Sequence, residues 1–97
     1  MQYRDPTSSH RVTIEWRGDV EKAKQIKVWQ IISSIRCEGK RKIISTQEGQ
    51  LKCEYVFEHE LTEQTELLLS GPASGKDVRV ILQYRSGIEF IPYIKIL

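Results

Sequence analysis

Apolar and polar positions alternate most cleanly between Leu51 and Leu61. Leu51, Cys53, Tyr55 and Phe57 fall on one side of an extended chain, and Lys52, Glu54 and Glu58 on the other, with Val56 the one apolar interruption. Period two over this length predicts a β-strand with one face on a core. Two further stretches read the same way. His10–Trp16 sets Val12, Ile14 and Trp16 against Arg11, Thr13 and Glu15, and Arg17-Gly18 breaks it. Asp77–Arg85 places Val78, Val80, Leu82 and Tyr84 together. Lys40–Thr46 is a shorter strand with a basic opening. The turn Gln47-Glu48-Gly49-Gln50 joins it to the Leu51 strand as a hairpin, with Gly49 free to take positive φ. Residues 58–66 are acidic and turn-like in the middle. Leu67–Leu69 form a short apolar run, and Ser70-Gly71-Pro72-Ala73-Ser74-Gly75 reads as a loop. Ile88–Leu97 is a last strand, in which Pro92 removes a ladder donor and so marks an edge, a bulge or a break.

Residues 20–35 fit a different period. Asp19 has the character of a helix N-cap, and Val28, Ile31, Ile32 and Ile35 fall on one stripe at 3.6-residue spacing. The spacing predicts a helix over Val20–Ile35, stopped near Gly39. Ile26 and Trp29 lie off the stripe, and the β-branched content of the segment supports a strand through Ile26, Val28 and Gln30 as the alternative. The expected fold is a single small α+β domain over residues 10–97, a mostly antiparallel sheet with one helix packed on a face, after a loose tail over residues 1–9. If residues 26–35 form a strand, the alternative is an all-β barrel.

The chain of 97 residues is 39% hydrophobic and 29% charged, which suits one small domain with a modest core. Its net charge is only +2, but the charge is uneven: residues 1–46 carry a net +5 and residues 47–97 a net −3. Such asymmetry favours a polar partner. Met1-Gln2-Tyr3-Arg4-Asp5-Pro6 has no apolar run of the kind a secretory signal needs, and no stretch is apolar over the ~18 residues of a membrane span. A cytoplasmic location is expected, with Cys37 and Cys53 reduced and no disulfide framework.

Candidate chemistry is sparse. Gly71-Pro-Ala-Ser-Gly75-Lys76-Asp77 is one residue short of a phosphate-binding loop and leads into a predicted strand, so a plain hairpin loop is expected. Arg17-Gly18-Asp19 is accounted for as strand end, turn and helix cap. His10 and His59 have no cysteine or second histidine at a metal-ligand spacing, and Glu58 and Glu60 flank His59 on what reads as the opposite strand face. No serine lies in a nucleophile-elbow context. These absences lead to the expectation of a non-enzymatic protein with no catalytic residues, no metal and no cofactor.

Two features bear on binding. Lys24, Lys27, Arg36, Lys40, Arg41 and Lys42 cluster around the predicted helix and the strand after it, and are the candidates for phosphate contacts. Trp29 or Tyr55 would stack on bases if exposed, although alternation turns Tyr55 inward. The second feature is the C-terminal strand. Phe90 and Ile94 lie on one face, Ile91 and Tyr93 on the other, and a single helix covers only one side of a sheet. The leading expectation is therefore a protein-binding or assembly module that contacts a protein partner or a second copy of itself, as a homodimer, through Phe90, Ile91, Tyr93 and Ile94. A nucleic-acid-binding protein using the basic patch of residues 22–42 is the alternative. A membrane partner is not expected.

Overall fold

The structure, a computed structural model, describes residues 10–62, 64–71, 78–85 and 93–96. The N-terminal tail, most of the Gly71–Lys76 loop, and Phe90, Ile91 and Pro92 lie outside these residues. The fold is a single small α+β domain, mostly antiparallel, with one helix. Its strands are β1 (Arg11–Gly18), β2 (Lys27–Ile32), β3 (Ile35–Glu38), β4 (Lys40–Gln47), β5 (Gln50–Val56), β6 (Glu66–Ser70), β7 (Val78–Arg85) and β8 (Tyr93–Ile96), and its helix is α1 (Val20–Ala23). The strands form two four-stranded sheets, ordered β4-β5-β1-β7 and β3-β2-β6-β8. Every described pairing is antiparallel except β6 with β8. Among the described strands neither sheet closes on itself, and no barrel closure is seen.

The core lies between the sheets. Val12, Ile14 and Trp16 of β1 and Leu51, Cys53 and Tyr55 of β5 meet Val28 of β2 and Leu67 and Leu69 of β6 in one buried cluster. The cross-strand register places Ile14 opposite Cys53, and Val28 opposite Leu69, as period-two alternation requires when one face is covered. The turn at Glu48-Gly49 joins β4 to β5, and Gly49 takes φ 75°.

The expected helix over Val20–Ile35 is corrected. Asp19 caps it as anticipated, its carboxylate accepting from the Lys22 N–H at 3.2 Å, but the helix ends after one turn. Residues 27–38 form the β2–β3 hairpin instead. Val28 and Gln30 point into the core, while Lys27, Trp29 and Ile31 alternate with them. β-Branched side chains are at ease on such a pleated surface, and the sheet buries Val28 fully. The two-residue turn at Ser33 (φ 50°) and Ser34 (φ 68°) has the doubly left-handed geometry that matches strand twist in tight hairpins.

Candidate functional site

β3 and β4 are consecutive in the chain yet edge different sheets, and Gly39 is the joint between them. A methyl group at Gly39 would sit 2.6 Å from Cε1 of the buried Phe57 ring. The missing Cβ therefore lets the joint lie directly on Phe57. The Gly39 N–H donates to the Val28 carbonyl at 2.8 Å, which fixes the crossing.

A groove of about 590 Å³ opens beside this joint. It is lined by Lys24, Lys27, Glu38, Lys40, Arg41 and Tyr55, together with Gln25, Ile26, Val28 and Gly39. Four of the six basic residues singled out from the sequence thus converge, with Glu38 the one carboxylate among the lining residues. The approach of Lys24 and Arg41 has a local cause: the Arg41 guanidinium donates to the carbonyl of Lys24, the C-cap of α1. A cation at the end of a helix is well placed against its exposed carbonyls. The other two basic residues lie elsewhere. Lys42 stands opposite Glu54 in the β4–β5 register, on the face away from Arg41. Arg36 lies over the Trp29 ring, 5.7 Å from its centroid.

Tyr55 is buried, so it does not stack on a ligand base, and Trp29 is only half-exposed beneath Arg36. Burial pushes the Tyr55 phenol well above its ordinary range, and the neighbouring Cys53 adds to the rise. The phenol oxygen and the Trp16 indole nitrogen are both buried without a hydrogen-bond partner, although the indole is near enough to temper that rise. Burial likewise pushes the Cys53 thiol up, with Arg41 pulling the other way, so Cys53 is an inert core residue.

A second cluster was hidden in the sequence. Cys37 Sγ, a carboxylate oxygen of Glu58 and an imidazole nitrogen of His59 all lie within 4.8 Å of one another. Alternation placed Glu58 and His59 on opposite strand faces, but β5 ends at Val56 and the chain bends at Glu58-His59, so the alternation no longer applies. Gln30 holds this bend. Its side chain is fully buried, its amide N–H donates to the His59 carbonyl at 2.8 Å, and its amide oxygen accepts from the His59 N–H at 3.2 Å. The desolvation cost of a buried amide is offset only when both ends are satisfied, as here. On the other side, Phe57 and His10 are joined: the Phe57 N–H donates to the His10 carbonyl at 2.8 Å, and His10 Nδ1 lies 3.3 Å from the Phe57 carbonyl.

At the C-terminus, β8 pairs with β6 at the end of the second sheet. Ile94 is half-buried and packs against the core of its own chain. Phe90 and Ile91 lie outside the described residues. No helix among the described residues is long and apolar enough to cross a membrane. Compared with known proteins, the chain matches no family model, no curated protein and no solved structure.

Proposed function

We propose that this protein is a non-enzymatic binding module that takes the phosphate backbone of a nucleic-acid strand in the groove beside Gly39. The observation that carries this reading is the convergence of Lys24, Lys27, Lys40 and Arg41 on one opening, with Glu38 the one carboxylate in its lining and Glu21 paired to Lys24 at 3.4 Å. Phosphates are attracted there by charge, and released counterions supply much of the free energy. With Tyr55 buried and Trp29 beneath Arg36, base stacking contributes little, so binding is largely independent of sequence.

The test is a titration of labelled single-stranded RNA, single-stranded DNA and a DNA duplex at low and rising salt. Lys27→Ala with Lys40→Ala should weaken binding and lower the single-strand log–log salt slope by about 0.7 for each phosphate left without its lysine. Lys42→Ala, at a residue that does not line the groove, should change little. Failure to bind any of the three at low salt would remove the reading.

A protein contact through the C-terminal strand is the second reading. It is supported by the position of β8 at the end of its sheet among the described strands, where pairing groups are open to another chain. The occupant it fits is a second copy, paired by two-fold symmetry. A concentration-dependent dimer in the ultracentrifuge, abolished by Tyr93→Asp without unfolding, supports it. A monomer at all concentrations removes the homodimer.

A further inference from the structure

We propose that Cys37, Glu58 and His59 bind one divalent transition-metal ion of the zinc class. A thiolate, an imidazole and a carboxylate are the three donor types that zinc takes from proteins. Here one of each comes together from two segments that are distant in sequence. Around a tetrahedral zinc, donor atoms stand about 3.5 Å apart, given bond lengths of about 2.0 to 2.3 Å. The observed separations, at most 4.8 Å, lie within a little over ~1 Å of that distance, and Glu58 and His59 are exposed.

The backbones beneath the donors are already held, and one residue registers both. Gln30 is the cross-strand partner of Cys37 in the β2–β3 hairpin. The same Gln30 side chain grips His59 through its N–H and its carbonyl. The segment carrying Cys37 and the bend carrying Glu58 and His59 are thus indexed to a single buried amide. Gly39 completes the arrangement by letting the chain after Cys37 lie on Phe57. Three protein donors leave a fourth position open, which water or a partner's group would fill.

A metal here would also link the two sheets. Cys37 belongs to an edge strand of one sheet, and Glu58-His59 follow an inner strand of the other. Since the ion binds the folded arrangement, it raises thermal stability by mass action.

Cobalt(II) titrated into the reduced full chain is the direct test. A thiolate-to-cobalt charge-transfer band and strong visible absorption of four-coordinate cobalt are expected, and zinc should bleach both. Cys37→Ser should abolish the charge-transfer band, whereas Cys53→Ala should leave it. His59→Ala should weaken binding on the order of 100-fold, because even loss of a residue that only supports a ligand costs ~10–100-fold. Zinc should raise the melting temperature of the parent chain and not that of Cys37→Ser. A measurement on the unmutated protein guards against misfolded variants: zinc should protect Cys37 from alkylation, as located by mass spectrometry. No cobalt band in the parent chain, a band that survives Cys37→Ser, or alkylation of Cys37 unaffected by zinc would each overturn the site.

Discussion

The two hairpins β2–β3 and β4–β5 are built alike, each from an inner strand and an outer one, yet the members differ sharply. Along β5, buried and half-buried residues alternate without a break. All eight residues of β4, its hydrogen-bonded neighbour, are exposed. In the other hairpin β2 sends Val28 and Gln30 into the core, while β3 has three exposed residues and the half-buried Cys37. Position in the sheet explains the contrast. The inner strands lie where the two sheets face each other, and the outer strands form edges that overhang the core. The chemistry follows the outer pair, because Arg36, Cys37, Lys40 and Arg41 all stand on β3 or β4. Inner strands set the fold here. The outer strands add side chains that can meet a ligand to those at the ends of inner strands, Lys27 at the start of β2 and Glu58-His59 after β5. The edge is also guarded against unwanted pairing. β4 opens with Lys40-Arg41-Lys42 and carries a bulge between Ile43 and Ser45, both of which disfavour strand addition.

The largest expected effect comes from cutting one apolar residue in each member of the same hairpin. Leu51→Ala in β5 removes a fully buried side chain and should cost about 2–5 kcal/mol in urea unfolding. Ile43→Ala in β4, where the side chain is 43% exposed, should stay within roughly 0.5 kcal/mol. Equal losses would break the distinction between inner and outer strands.

Next in size is the joint between the outer strands. Gly39→Ala drives a methyl group into the Phe57 ring, and should cost about 1–3 kcal/mol of overpacking strain. Phe57→Leu in the same background should recover part of that loss in the same unfolding assay, since a smaller side chain yields to the methyl. A tolerated Gly39→Ala would mean that β3 and β4 do not lie against Phe57.

A gain of about 1 kcal/mol is expected where β2 turns into β3. Ser33 and Ser34 both hold positive φ, which costs an L-residue other than glycine or asparagine. Ser33→Asn with Ser34→Gly supplies the residues that this turn favours. A raised melting midpoint, with amide exchange slowed in β3, would sharpen the comparison by firming the outer strand alone.

The smallest effect concerns Tyr55 on the inner strand, whose hydroxyl is buried without a partner. Tyr55→Phe should leave stability at neutral pH unchanged or raise it by up to about 1 kcal/mol, because no hydrogen bond is removed. The alkaline behaviour has a definite sign. Burial raises the phenol's pKa in the folded state, so the unfolded chain releases that proton first. Stability is therefore fully present below the ordinary phenol range, near pH ~10, and falls as pH rises beyond it. Thermal melts at stepped alkaline pH should show a shallower fall for Tyr55→Phe than for the parent chain.

Much of this was legible in the order of residues. Alternation at Val12-Ile14-Trp16 and Leu51-Cys53-Tyr55 located β1 and β5 and named their buried faces, because period two admits one inward side when a single face is covered. Asp19 and Gly49 were readable because caps and turns are decided by the chemistry of one or two residues. Residues 20–35 were not, since the isoleucines there satisfy a helical stripe and a pleated strand equally well. The burial of Val28 and Gln30 between the sheets decided for the strand. The basic residues could be collected from the sequence, but only the crossing at Gly39 divided them, placing Lys24, Lys27, Lys40 and Arg41 at one groove and turning Lys42 and Arg36 away. The Cys37–Glu58–His59 cluster had no local signal at all. Its donors meet because a buried Gln30 pairs with Cys37 in one direction and grips His59 in the other, and contacts between distant segments leave no periodicity to read.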